Sequence, residues 1–156
     1  MQASVSAGRS KVNQRLMTAI AVLASLGIAI SAFSLHHHFS RSKTSFCNLS
    51  QALNCDLVNR SSYSAFRGIP VALIGLIGYL LILALATFYR QKAETPMMLL
   101  IASVGGSAFA LYLTYLEAYV IHAWCILCLS SLAFIFAITV LSMSLLAHRM
   151  RAAKEA

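Results

Sequence analysis

The chain has 156 residues, of which 60% are hydrophobic and only 10% are charged. Soluble domains carry about 25% charged residues, so this composition excludes an ordinary soluble protein and predicts a small membrane domain. The net charge of +8 does not indicate a nucleic-acid partner, because the basic residues are spread over short segments between apolar runs and form no stripe among aromatic residues.

Four apolar segments without Asp, Glu, Lys or Arg follow one another along the chain. About 20 apolar residues in a helix cross the roughly 30 Å hydrocarbon core of a bilayer, so each segment predicts a transmembrane helix. Proline is tolerated in the first helical turn, which predicts that the second helix opens at Ile69–Pro70 and the third at Thr95–Pro96. The fold class we predict is an all-α membrane protein with four transmembrane helices, over residues 16–35, 68–89, 95–116 and about 122–147.

Small residues recur inside the second and third predicted helices. Helices associate in lipid where their backbones approach closely, so we expect these residues at helix contacts within a compact four-helix bundle. They are Gly75, Gly78, Gly105, Gly106 and Ala110.

Basic residues are divided unevenly between the two sides of this arrangement. Eight fall on the side of the N-terminal flank 1–15 and the tail 148–156, and four fall in the long loop 36–67. The positive-inside rule therefore predicts a multi-pass protein of the cell (inner) membrane, in which the domain 16–147 has both termini in the cytoplasm and the loop outside. A cleaved signal peptide is the alternative for the first segment. It is less favoured, because its 20 apolar residues exceed a typical signal core and no clear A-x-A site follows.

All four cysteines fall on the extracytoplasmic side of this topology. Cys47 and Cys55, the loop pair, lie between the first and second helices, and Cys125 and Cys128, the inner pair, lie where the fourth helix begins. Disulfides persist in that compartment. Sequence alone leaves all three pairings open, although proximity favours 47 with 55 and 125 with 128.

The Cys125-Ile126-Leu127-Cys128 unit is the sharpest chemical feature. Residues three apart on a helix share a face and can close a disulfide, but so short a loop removes little unfolded-state entropy, which favours a redox role over a structural one. We expect Cys125 in the first helical turn, where free N–H groups favour a thiolate. The alternatives are inert buried cysteines and zinc. We predict no metal, because no further ligands are placed to complete a tetrahedron.

The electrons of such a dithiol need an acceptor. A bilayer quinone takes up two electrons and two protons, which matches one dithiol, and no residues are placed to hold flavin, haem or an iron–sulfur cluster. The loop pair can then act as a mobile relay between a protein partner and the inner pair.

Glu117 is a candidate to line the quinone pocket or to relay a proton, the alternative being a position in headgroup water. The three consecutive histidines 36–38 indicate the polar end of the first helix rather than a metal site.

Taken together, these residues resemble the bacterial branch of the vitamin K epoxide reductase family. The resemblance covers about residues 16–147, and it is specific because it includes the order and spacing of all four cysteines. Its elements are Cys47 and Cys55 separated by seven residues, Ser61 six residues further on, Gly68-Ile69-Pro70-Val71-Ala72 opening one helix, and Cys125-Ile126-Leu127-Cys128 opening another.

The resemblance implies a four-helix bundle around a quinone of the menaquinone or ubiquinone type. It also implies the role of each cysteine. Cys128 reacts with the quinone and Cys125 is its partner. Cys55 exchanges with Cys125, and Cys47 meets an external thioredoxin-like protein. Ser61 would orient or polarise the reacting groups.

Two positions depart from the vertebrate members of that family. Val71 stands, in a gapless match, where they carry an asparagine that binds the substrate, and Leu132 stands in place of a tyrosine; both departures argue against epoxide reduction. Val71, Ile74, Glu117 and Leu132 are the candidate quinone-binding residues. The chain ends at Ala156, so we expect the thioredoxin-like partner to be a separate periplasmic or extracellular protein.

The sequence therefore predicts a quinone-linked thiol oxidoreductase that passes electrons from a partner dithiol through the loop pair and the inner pair to a membrane quinone. It would thereby support disulfide formation in exported proteins. The unrelated bacterial four-helix disulfide-generating oxidase is less favoured, because its C-x-x-C precedes the second helix. A non-catalytic membrane assembly or carrier protein with structural disulfides is the alternative from a different class.

Overall fold

The architecture is that of a helical membrane protein, as a computed structural model shows for residues 2–39, 58, 65–66 and 68–154. This confirms the all-α class. Within these described ranges, the four long helices are α1 Gln2–Phe39, α2 Val71–Thr87, α3 Thr95–Leu116 and α4 Ile126–Lys154.

Among the described residues, three segments are by length and composition apolar enough to cross a membrane: Ser10–His36, Thr95–Ile121 and Ile126–Lys154. The apolar helix α2 is shorter, with 17 residues. At 1.5 Å per residue it rises about 26 Å, which is slightly less than the roughly 30 Å of a bilayer core.

The chain before α2 departs from the prediction. Ile69–Pro70 forms a two-residue strand, β2, that pairs antiparallel with β1, Ala65–Phe66. Gly68 in the connecting turn has φ of 83°, a conformation that glycine adopts without a Cβ clash. Ile69 and Pro70 are therefore not the first residues of the helix, which starts at Val71 with Pro70 as its N-cap residue. The predicted opening of α3 at Thr95–Pro96 is confirmed.

The junction between α3 and α4 also lies later than predicted. The chain continues from α3 through a π-helical turn, Glu117–Ile121. His122 then adopts a left-handed conformation with φ of 54°, which ends the run of helical hydrogen bonds. The predicted start of the fourth helix near residue 122 is thus wrong by about one turn, because α4 starts at Ile126.

The four helices form a ring in which α1 packs against α2 and α4, and α3 packs against α4 and α2. The half of the bundle next to the two chain termini has a filled interior. Its buried core comes from all four helices: Met17, Ile20, Ala24, Ile82, Ala86, Leu99, Ile138 and Leu145.

Small residues serve two different purposes in this bundle. A Cβ on Gly27 of α1 would overlap the ring of Tyr79 in α2, and a Cβ on Gly106 would lie 3.0 Å from Ile135 in α4. These glycines permit close helix approach, as the sequence predicted for Gly106. A Cβ on Gly78 or Gly105 would meet nothing within 4 Å, so the prediction of helix contacts is wrong for these two positions.

Candidate active site

The inner pair lies at the junction of α3 and α4. Cys125 is the residue immediately before α4, and Cys128 lies in the first turn. The Cys125 carbonyl accepts a hydrogen bond from the Leu129 N–H at 3.0 Å, which makes Cys125 the N-cap residue. The expected position inside the first turn is thus corrected by one residue, yet the N-cap side chain still faces the free N–H groups that open a helix.

The environment of Cys125 favours its thiolate. The side chain is fully buried, and both cysteines of the inner pair are free thiols. A hydrogen bond from the Cys128 thiol lowers the pKa of Cys125 below its usual range, and the backbone N–H groups of Cys128 and Leu127 act in the same direction. Burial and the charge of Glu117 oppose this shift without reversing it.

Glu117 completes a three-residue cluster with the inner pair. Its side chain is only 2% exposed. Its Oε2 accepts the Cys125 N–H at 3.0 Å, while its Oε1 has no hydrogen-bond partner among the described residues. A carboxylate oxygen and the two sulfurs lie within 4.8 Å of one another. Glu117 is therefore in direct contact with the inner pair and not in headgroup water.

A cavity of about 340 Å³ lies beside this cluster, inside the half of the bundle away from the chain termini. All four helices contribute to its wall, which includes Glu117 and Cys128. Gly78 and Gly105 also line it, and their missing side chains leave its space open. Small-molecule sites occupy about 300–1,000 Å³ and are mostly apolar with few polar groups, so the volume and lining suit a mainly apolar small molecule.

The predicted quinone-binding residues are placed as follows. Val71, Ile74 and Glu117 line the cavity, but Leu132 does not. Cys128 and Ser131 of α4 face the cavity, and the 100° step between successive helical residues puts Leu132 beyond the edge of that face.

The other predicted site residues, Cys47, Cys55 and Ser61, lie outside the described residues. Val58, which follows Cys55 by three positions, is described. Val58 lines the cavity and belongs to one buried cluster with Ala123 and Cys125.

Tyr79 and Ser131 are polar residues of the cavity wall that the sequence reasoning missed. The Tyr79 hydroxyl donates to the Ser131 carbonyl at 2.8 Å and lies 3.0 Å from the Ser131 hydroxyl. The signal available beforehand was weak: a tyrosine in the middle of an apolar helix needs a partner for its hydroxyl when buried.

Comparison with known families assigns the chain to one of them. The sequence model of the vitamin K epoxide reductase family matches residues 18–143. The chain belongs to this family. Proteins of the vitamin K epoxide reductase family are oxidoreductases that in general link thiols to quinones and work with thioredoxin-like partners.

In this vitamin K epoxide reductase family member, the residues brought together by α3 and α4 can perform dithiol chemistry. Two free sulfurs lie at the opening of a helix, one of them on the wall of an apolar cavity. Thiol–disulfide exchange requires a thiolate that a second sulfur can reach. The N-cap position of Cys125 and the adjacent Cys128 supply both.

Proposed function

We propose that the protein is a quinone-dependent thiol oxidoreductase of the cell membrane that supports disulfide formation in exported proteins. The observation that carries the proposal is the position of Cys128, which lies on the wall of the 340 Å³ cavity with Cys125 beside it. An apolar ring in that cavity would be next to the sulfur that it oxidises. Membership in the vitamin K epoxide reductase family supports the same chemistry.

The proposed reaction conserves electrons and protons. A partner dithiol reduces the Cys47–Cys55 disulfide, and the loop dithiol then reduces the Cys125–Cys128 disulfide, each time by thiolate attack through a mixed disulfide. Oxidation of the inner dithiol breaks two S–H bonds and forms one S–S bond. The two electrons and two protons convert a quinone of the menaquinone or ubiquinone type to its quinol.

Each member of the inner pair has a distinct proposed role. Cys128 is the cysteine that reacts with the quinone, because it faces the cavity. Cys125 is the exchange partner of the loop, because it packs in one cluster with Val58, a residue of the loop 36–67. The lowered pKa of Cys125 suits a sulfur that must leave as a thiolate when Cys47 resolves the mixed disulfide between Cys55 and Cys125. Ser61, which lies outside the described residues, would orient or polarise the reacting groups.

The contact of Val58 with the inner pair supports electron transfer from the loop. Val58 packs in the same cluster as Cys125, and Cys55 precedes it by three residues. Three residues of extended chain reach at most about 11 Å. We propose that the loop delivers Cys55 to Cys125 and that Cys47 meets a separate thioredoxin-like protein.

Two sets of residues would bind the quinone. Val71 and Ile74 offer apolar contacts, and the Ser131 hydroxyl, which can turn its proton from the Tyr79 oxygen to a ligand, offers the donor for a quinone carbonyl. Pockets of this type use a few polar groups to orient a mainly apolar ligand. Glu117 would act as a positioning residue, because its carboxylate holds the Cys125 N–H.

The decisive experiment is thiol-dependent quinone reduction by the purified, detergent-solubilised protein. Cys128→Ala should abolish quinone reduction while the unfolding temperature stays close to that of the wild type, because a dithiol that cycles contributes little to stability. Ser144→Ala is a matched control, since its exposed hydroxyl bonds only to the Val140 carbonyl. Retained quinone reduction in Cys128→Ala would contradict the proposed role of Cys128. Absence of quinone reduction by the wild type, together with a lowered unfolding temperature of Cys128→Ala, would instead support the non-catalytic protein with structural disulfides.

A further inference from the structure

The cluster of Cys125, Cys128 and Glu117 has the composition of a metal site as well as that of a redox site. We propose that these three side chains, when the inner pair is reduced, bind a divalent thiophilic cation of the zinc class, and that the bound cation blocks oxidation of the pair. Binding itself depends only on the residues of the cluster. The blocking effect rests on the proposed function.

The spacing of the ligand atoms fits a single ion. Zn–S bonds of about 2.3 Å place the ligand atoms of a tetrahedral site about 3.8 Å apart. The two sulfurs and a carboxylate oxygen already lie within 4.8 Å of one another. Side-chain adjustments of about 1 Å or less would therefore close the site. The C-x-x-C spacing also lies within the range of two to four intervening residues that is typical of zinc sites.

The carboxylate provides the second, independent indication of a cation. Glu117 is buried, and its Oε1 lacks a hydrogen-bond partner among the described residues. None of the described residues that line the cavity is a lysine or arginine. Buried charges are normally paired with an opposite charge or bound to a metal, and a cation between the sulfurs and the carboxylate would meet this requirement.

Backbone N–H groups around the three side chains already occupy positions typical of the outer coordination shell of a metal site. The Cys125 N–H bonds to Oε2 of Glu117 and fixes the orientation of the carboxylate. The backbone N–H groups that open α4 stabilise the Cys125 thiolate. Outer-shell partners of this kind orient the ligands of a metal site.

Three protein ligands leave one position open toward the cavity, as in zinc sites that accept an exogenous ligand. Oxidation of the inner pair removes two of the three ligands, because a disulfide has no thiolate to donate. The proposed site therefore exists only in the reduced protein. A cation bound there would hold both thiolates and prevent their oxidation by the quinone. The spacing of the cysteines predicted no metal because it showed no further ligand; Glu117, eight residues before Cys125, supplies a third ligand in the folded chain.

The test uses Co²⁺ as an optical probe of the reduced full-length protein in detergent, with Cys47→Ser and Cys55→Ser so that thiolate signals come only from the inner pair. We expect thiolate-to-cobalt charge-transfer bands and the visible bands of tetrahedral Co²⁺, and their loss on adding Zn²⁺. Oxidising the inner pair should abolish the bands. Reduced protein without thiolate–cobalt bands would overturn the proposal, whatever its activity.

The role of Glu117 is tested by Glu117→Gln, which keeps an oxygen that can accept the Cys125 N–H but loses the charge. Co²⁺ affinity should fall at least tenfold, comparable to the about 10- to 100-fold that loss of an outer-shell partner costs. Glu94→Gln, on an acidic residue at the start of α3, should leave the affinity unchanged. Equal affinities of the two variants would show that the carboxylate is not a ligand.

Two further measurements separate binding from function. Cys128→Ser removes a ligand without altering Glu117 and should abolish the charge-transfer bands, which covers the case that Glu117→Gln fails to fold. In the protein with all four cysteines, Zn²⁺ should inhibit thiol-dependent quinone reduction at the concentrations that displace Co²⁺. Cobalt binding without any quinone reduction would contradict the proposed function alone, and uninhibited reduction at saturating Zn²⁺ would contradict the blocking effect.

Discussion

Glu117 determines the local structure around the inner pair. Its carboxylate bonds to the Cys125 N–H eight residues later, across the π-helical turn and the left-handed His122. The buried N–H of an N-cap residue has no partner within its own helix. The side chain of Glu117 supplies that partner and holds Cys125 at the start of α4.

The first prediction at the residue scale concerns this contact. Glu117→Leu should lower the free energy of unfolding by about 1–3 kcal/mol, because it leaves the buried Cys125 N–H unpaired. Glu117→Gln should lose less, since its amide oxygen can accept the same bond. Thermal unfolding of the purified variants in one detergent measures the difference.

Glu94→Leu is the control for this prediction, because Glu94 is exposed and its side chain makes no cap hydrogen bond. It should unfold at nearly the wild-type temperature. Identical unfolding of the Glu117→Leu variant and the wild type would show that the hydrogen bond to Cys125 contributes nothing to stability.

The sequence revealed the site residues unevenly. The C-x-x-C spacing was sufficient to predict a reactive pair, and the scarcity of acidic residues was sufficient to select Glu117. The bond between Glu117 and Cys125 is a tertiary contact that no spacing encodes. Tyr79 and Ser131 were missed because a tyrosine and a serine within apolar helices are ordinary residues, and only the cavity makes them significant.

At the scale of the helices, the existence of all four was predictable, but several of their boundaries were not. Helix α1 starts at Gln2 and α4 ends at Lys154, beyond the predicted segments 16–35 and 122–147. Long apolar runs specify helices because lipid leaves no other way to satisfy the backbone. The residues before α2 were predicted as helical, yet Ile69–Pro70 pairs with Ala65–Phe66 as a hairpin. The apolar run from α3 into α4 hides the break at His122, because a histidine at positive φ carries no signal in the sequence.

A prediction at this scale distinguishes the two kinds of glycine. Gly27→Ala should lower the free energy of unfolding by about 1–3 kcal/mol, the usual cost of overpacking, since the new Cβ would overlap the Tyr79 ring. Gly105→Ala should cost nothing, because its Cβ would enter open space and alanine has the higher helix propensity. Thermal unfolding in detergent compares them. Equal destabilisation by both substitutions would show that the helices do not approach as described.

At the scale of the whole molecule, the bundle has one filled half and one hollow half. The core from Met17 to Leu145 fills the half at the chain termini. The cavity, the inner pair and Glu117 occupy the other half. The proposed topology places the hollow half at the extracytoplasmic face, which agrees with the distribution of basic residues.

Cysteine labelling tests this topology. In a variant with all four native cysteines replaced by serine, Trp124→Cys should react with a membrane-impermeant maleimide on intact cells, because residue 124 lies between α3 and α4. Lys92→Cys, in the turn between α2 and α3, should react only after the membrane is permeabilised. Phe136→Cys, which is exposed on the middle of α4, should stay unlabelled in both cases as a lipid-facing control. Labelling of residues 92 and 124 from the same side would refute the arrangement.

The filled half of the bundle also bears on the energetics of turnover. Its core side chains are hydrocarbon and thioether groups, whereas the two thiols and the carboxylate of the cluster lie in the other half. In the proposed reaction, thiol protons and electrons reach the quinone from one face. Moving one charge through 100 mV is worth about 2.3 kcal/mol. A turnover in which no charge crosses the membrane stores no energy in the membrane potential. The potential therefore does not slow this turnover.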